Sequence, residues 1–256
     1  MKRGILVAVF LLLTGGLLWG LTGEEIIHKV DNQPKPKTTI AKMKMILVSK
    51  SGSKRVREVV TYIKEDKNMT KTLMKFLSPA DIRNTGFLIW DYKNSDKESD
   101  QFLYLPALKK TRRISSSQKN QSFLGTDFSY QDMEGVKVNK ATHKLLREEK
   151  CGNYECYVVE SIPKPGTDYQ YSKVVEWIRK DIFVPVKAEM YDKKGKKIKR
   201  LTVNKLEKIK NYWIMKESVM ENLKTHHKTI LTIEKIVVDK KIPDAYFTQR
   251  YLEKEI

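Results

Sequence analysis

The sequence predicts a mainly β protein: a single curled antiparallel sheet forming an incomplete β-barrel, with short helices and a loop segment covering its concave face. Three observations carry this expectation. Apolar and polar residues alternate with period two through about a dozen segments. Most of those segments are joined by hairpin-length turns, the connectivity of an antiparallel sheet. A flat sheet with so many strands is unusual, so this one is expected to curl toward a barrel.

The chain opens with Lys2 and Arg3, then the apolar run Ile5–Leu21, then the small residues Thr22 and Gly23. This is the layout of a secretory signal peptide. The competing reading is an uncleaved membrane anchor, for which the run is near the lower length limit and is weakened by Gly15 and Gly16. The expected boundaries are a signal peptide at 1–23 and one domain at 24–256, exported from the cytoplasm. No Cys follows the run, so the chain itself is not expected to carry lipid.

Glu24 to Val30 places Ile26, Ile27 and Val30 on one helical face, and Pro34 and Pro36 end that segment. Strands follow. In Thr38–Lys50, Ala41, Met43, Met45 and Leu47 alternate with lysines, and Ser51-Gly52 marks a hairpin turn. Lys54–Glu65 and Met69–Leu77 continue the meander until Pro79-Ala80-Asp81 breaks it. Thr85–Tyr92 is rich in strand formers, and Asn94–Asp100 reads as a polar loop. Gln101–Leu105 and Lys110–Ile114 are short strands around Pro106. The stretch Ser115–Gly135 departs from the pattern and reads as short helical turns or an ordered loop. Strands resume at Thr142–Glu149, Tyr154–Ile162, Tyr171–Lys180, Val184–Tyr191, Lys197–Leu206, Tyr212–Leu223 and His226–Val238. Pro243 opens a last short helix, Ala245–Leu252.

Cys151 and Cys156 flank the turn signal Gly152-Asn153. Antiparallel pairing would set their sulfurs opposite each other, and an oxidising compartment would favour a disulfide there. The spacing is not that of a redox pair, and no further metal ligands stand nearby.

Lys and Arg number 50 against 31 Asp and Glu, a formal net charge of +19. In a cytosolic protein that balance would point to nucleic acid. Outside the cytoplasm the anionic partners are membrane headgroups or acidic proteins. The lysines are spread along strands rather than gathered in one patch, which favours a solvated surface and no nucleic-acid partner. A mean hydropathy of −0.51 excludes a polytopic helical membrane protein.

His28 and His143 stand alone, and His226-His227, read as adjacent strand residues, would point to opposite faces. No glycine-rich phosphate loop or hydrolase motif is present, so no catalytic residue, metal or cofactor is expected. The distinctive residues are large and apolar: Trp90, Tyr92, Tyr104, Trp177, Met190, Trp213, Met215 and Met220. A curled sheet of this width encloses more space than its own side chains fill. These residues, with Phe123, Leu124, Phe128 and Tyr130 of the central segment, are therefore candidates for the wall and lid of an apolar cavity. For any one of them taken alone an ordinary core residue is the better reading, and the segment is equally a fixed plug.

The run Phe76-Leu77-Ser78-Pro79-Ala80-Asp81, then Gly86-Phe87-Leu88-Ile89-Trp90, then Leu103-Tyr104-Leu105-Pro106-Ala107-Leu108-Lys109-Lys110-Thr111-Arg112-Arg113-Ile114, then Phe123-Leu124-Gly125-Thr126-Asp127-Phe128-Ser129-Tyr130, resembles a family of exported outer-membrane lipoprotein-sorting proteins related to the LolA/LolB carriers. The resemblance implies an incomplete antiparallel barrel with an apolar concave face and helices acting as a lid. It implies a periplasmic carrier for the acyl chains of lipoproteins or lipids, with an inner-membrane transporter as donor and an outer-membrane acceptor. The missing lipid-attachment Cys departs from the LolB pattern and fits a soluble, LolA-like role. The rival expectation is a non-catalytic adaptor module in the envelope that works with a membrane transporter.

Overall fold

The computed structural model describes residues 20–93, 97–134 and 137–255. Most of the expected export segment, part of the polar loop after Tyr92, and Gly135 lie outside the described residues.

Helix α1 (Gly23–Asp31) comes first. Thr22 caps it: the Thr22 hydroxyl accepts from the Glu25 amide, and the Glu25 carboxylate accepts from the Thr22 amide at 2.8 Å. Five strands then run outward from the middle of the sheet, β1 (Thr38–Val48), β2 (Lys54–Glu65), β3 (Met69–Ser78), β4 (Gly86–Tyr92) and β5 (Asp100–Leu105). A short edge strand, β6 (Lys110–Arg113), ends this half. The other half contains β7 (Ala141–Cys151), β8 (Tyr154–Pro163), β9 (Lys173–Arg179), β10 (Val184–Tyr191), β11 (Lys197–Ile209), β12 (Tyr212–Asn222) and β13 (His227–Val238). A 3₁₀ turn, Asp244–Phe247, and helix α2 (Gln249–Leu252) replace the single terminal helix expected from Pro243.

Among the described residues these strands form one 13-stranded antiparallel sheet, in the order β6-β5-β4-β3-β2-β1-β13-β12-β11-β10-β9-β8-β7. The sheet is curled and not closed. The chain walks from the centre to one edge at β6, crosses to the opposite edge at β7, and walks back until β13 pairs with β1. The described residues of the crossing segment, 114–134 and 137–140, join the two sheet edges, and Phe123, Phe128 and Tyr130 among them pack on the inner, concave face.

That segment carries the apolar groups that fill the first half. Phe123 and Tyr130 pack with Phe76, Phe87, Ile89 and Leu103 on the inner face of β3–β5, and the Phe123 and Phe87 rings are 4.8 Å apart. It is tied down along its length. Arg57 donates to the Leu124 carbonyl at 2.8 Å, and Gln101 donates to that of Tyr130 at 3.0 Å. The Asp127 carboxylate accepts from Thr229 at 2.7 Å and contacts His227 Nδ1 at 2.7 Å. His226 is not a strand residue: its φ of 58° places it in the turn before β13.

The outer face is also covered. Leu73, Leu88 and Phe102 pack against Ile242, Phe247 and Leu252 of the C-terminal segment. A Cβ on Gly86 would stand 2.6 Å from Leu252 Cδ1 and 3.0 Å from the Leu252 carbonyl oxygen, so a larger residue there would require the C-terminal segment to shift. Between them Lys75, fully buried, donates to the carbonyls of Leu252 and Lys254 at 2.7 Å each.

Candidate functional site

The second half of the sheet is not filled by the crossing segment. A cavity of about 500 Å³ remains over the inner face of β7–β12, inside the roughly 300–1,000 Å³ range of small-molecule sites. Ile27 and Val30 of α1 roof it on one side, and Phe128 of the crossing segment closes the other. Ala188, Met190 and Met220 form one apolar cluster with Phe128 and Tyr171, while Ile26, Ile27, Val159 and Ile178 form the next.

The roof is positioned by α1's contact with the edge strand. A Cβ on Gly23 would lie 2.6 Å from the His143 carbonyl oxygen, so only glycine lets the helix start against β7. Glu24 accepts the His143 amide at 2.9 Å, which occupies a donor on an otherwise free sheet edge. Leu21 packs into the same cluster as Ile26 and Ile27.

The structure separates the residues singled out from the sequence. Phe128, Met190, Trp213, Met215 and Met220 line the cavity. Met215 and Met220 differ in parity, yet both face inward because the β11–β12 register skips Lys216. Phe123 and Tyr130 belong to the filled half, with Leu124 packed at its border, and none of the three touches the cavity.

Trp90, Tyr104 and Trp177 do not line the cavity; all three face outward. Trp90 lies behind the C-terminal segment and donates to the Phe247 carbonyl at 3.0 Å, and Tyr104 is in the same outer cluster. Tyr92 donates to Asp100 at 2.7 Å. Trp177 packs with Cys156, Val158 and Val175, with the Lys187 ammonium 3.7 Å from its ring centre. The cause is strand alternation: Phe87 and Ile89 take the inner face, so Leu88 and Trp90 take the outer one. On β9, Val174 and Glu176 face in, which turns Trp177 out. Cys151 and Cys156 are joined by a disulfide, with Cα atoms 6.0 Å apart.

Sequence reading missed Glu176, the one charged residue inside the run Val174-Val175-Glu176-Trp177-Ile178. That interruption was the available signal. Burial alone pushes its carboxyl up to about 7. The other acid of the inner wall, Asp132, is fully engaged: it accepts from Tyr171 at 2.8 Å, from Lys199 at 2.9 Å and from the Ser129 amide at 2.8 Å. A second recess, of about 250 Å³, is polar, and its Lys119 and Glu134 pair with each other at 3.0 Å. No group of metal-binding residues occurs among the described residues.

Comparisons with known proteins give a consistent placement. A protein-family model described as an uncharacterized protein matches residues 68–254. A DUF1329 family protein from Desulfovibrio piger is similar at 30% identity and TM-score 0.86, over 90% of this chain and 97% of that one. A putative outer membrane lipoprotein-sorting protein domain from Vibrio parahaemolyticus is similar at 30% identity and TM-score 0.85, over 91% and 98%. A LolA superfamily protein from Nitrosomonas europaea, at 20% identity and TM-score 0.70 over 91% and 100%, shares the fold. No curated protein matches the sequence.

Proposed function

Because the chain belongs to the family of LolA-like outer-membrane lipoprotein-sorting proteins, we propose that it is a periplasmic carrier that holds the acyl chains of a lipoprotein or lipid in the cavity under α1. The observation that carries the reading is the cavity itself: about 500 Å³ of largely apolar space left between α1 and Phe128 on the inner face. The name of the Vibrio relative adds the direction, sorting toward the outer membrane. No helix among the described residues is long and apolar enough to cross a membrane.

Energetics define what such a carrier does. Each methylene moved from water into the cavity gains about 0.8 kcal/mol. Moved from a bilayer it gains almost nothing, because the lipid interior is equally apolar. The protein therefore shields acyl chains in transit and does not extract them. An inner-membrane transporter loads it, and an outer-membrane acceptor with a better site unloads it. Met190, Met215 and Met220 suit this role, since unbranched thioether side chains repack around different chains.

Titration of the delipidated protein with a fluorescent fatty acid tests the reading. Saturable binding, competed by an unlabelled acyl lipid, is expected. Absence of binding sinks the reading and leaves a packed adaptor module.

A further inference from the structure

Glu176 stands in the middle of an apolar wall. Its partners across the ladder are Val159 on β8 and Ala188 on β10, and Val174 and Ile178 share its face on β9. Val159, Ala188 and Ile178 are all buried. Ile27 and Val30 of α1 reach the same space. A valine or leucine would complete this wall. A carboxyl there carries a cost unless something hydrogen-bonds to it.

Nothing described in the protein meets that need, since Glu176 reaches no donor and no cation among the described residues. The other charged or titratable groups of the cavity come from every element around it. From β7, His143 has both ring nitrogens engaged, at 2.8 Å with Ser161 and 3.0 Å with the Val138 carbonyl. From the crossing segment, Asp132 is held by Tyr171, Lys199 and the Ser129 amide. Asp31 and Lys35 belong to the end of α1 and the residues after it, and Tyr169 to the loop before β9. Among the described residues its carboxyl oxygens have no protein partner, and they face the cavity, where a ligand atom can reach them.

We propose that the Glu176 carboxyl is the polar anchor of the cavity and donates a hydrogen bond to the carbonyl oxygen of an acyl ester or amide. The cargo is thus recognised as an acyl group attached to a head group, not as bare hydrocarbon. This inference rests on the carrier reading. A neutral carboxyl is the form that an apolar wall favours, and burial raises the group to about 7, so about half of it is protonated near neutral pH. A cationic amine is the weaker candidate. It would require an ionised carboxylate that no wall group solvates, a second desolvated charge, and approach to a chain of net charge +19.

The sign of the pH dependence follows. Only the protonated carboxyl donates, so ester affinity is nearly full below about pH 6, half lost at about pH 7 and falls further above it. If the ionised form does not bind at all, the loss from about pH 6 to about pH 8 approaches tenfold, the ratio of the protonated fractions.

The experiment uses the whole delipidated protein loaded with diphenylhexatriene and displaced by methyl laurate or by the matched alkane tridecane. The parent should prefer the ester, and the preference should shrink by up to about tenfold from about pH 6 to about pH 8. Glu176→Gln keeps a donor without titrating, so it should keep the preference at both pH values. Glu176→Leu should bind the alkane at least as well and lose the preference. Thermal melts establish that both variants are folded. Ester preference that survives in Glu176→Leu overturns the proposal. So does a pH dependence that persists in Glu176→Gln, which would belong to a different group. Tighter binding of dodecylamine as pH rises would assign Glu176 to cations and overturn it as well. Alkane binding without ester preference removes this inference alone, whereas displacement by neither ligand removes the carrier reading with it.

Discussion

Phe123 and Phe128 lie in the same crossing segment and have separate tasks. Phe123 is fully buried among Phe76, Phe87 and Tyr130, whereas Phe128 borders the cavity. Phe128→Asp should abolish retention of a fluorescent fatty acid while the protein still melts cooperatively. Phe123→Asp should cost at least the roughly 3–5 kcal/mol of emptying such a site, read from denaturant unfolding. If Phe128→Asp leaves binding intact, Phe128 does not wall the ligand site. Cys151 and Cys156 give a second check at this scale: thiol labelling of the unreduced, unfolded protein should find no free cysteine. Reduction should remove about 2 kcal/mol, a small effect because the loop is short. The aromatic residues of the crossing segment were legible because they interrupt a polar stretch. Trp90, Tyr104 and Trp177 were not, since alternation divides a strand into two faces without saying which is concave. Both faces of this sheet are covered by apolar groups, so residue size does not decide the direction.

The C-terminal segment is held on by Lys75. Burial pushes its ammonium down to about 8, below the usual lysine value of about 10.4. Between those values the unfolded chain keeps a proton that the folded protein has released, so this residue makes stability rise with pH across that window. Lys75→Met should flatten that rise. It also leaves the Leu252 and Lys254 carbonyls without their donor, and should release the last residues to protease at a cost of about 1–3 kcal/mol. At the other end, Thr22 caps α1 and Leu21 packs beneath it. A chain that keeps Leu21 and Thr22 should therefore melt at a higher temperature than one that starts at Glu24, as thermal unfolding of the two would show. A cut after Gly23 would remove a cap worth about 1 kcal/mol. Strand positions were legible to within a few residues because the period-two pattern and the turns at Gly52, Gly152 and Gly195 agree. The skipped register at Lys216 was not, because a bulge leaves the alternation locally ambiguous.

At the scale of the whole molecule, one connection decides the function. The chain leaves the sheet at β6 and re-enters at the opposite edge, β7, and apolar groups of the segment between them pack on the concave face. Phe123 and Tyr130 fill the space over β3–β5, Phe128 borders the cavity, and the space over β7–β12 stays open under α1. The curled antiparallel sheet was legible from strand count and hairpin spacing. The division into a filled half and an open half was not, because it depends on strand order across the sheet. The most direct test of the carrier account is native mass spectrometry of the exported protein, purified without detergent, with extraction of whatever it retains. The account predicts acyl-bearing lipid or lipoprotein bound to the folded chain and lost in Phe128→Asp. A chain that emerges free of lipid, and takes up none when mixed with acyl lipids, would contradict it.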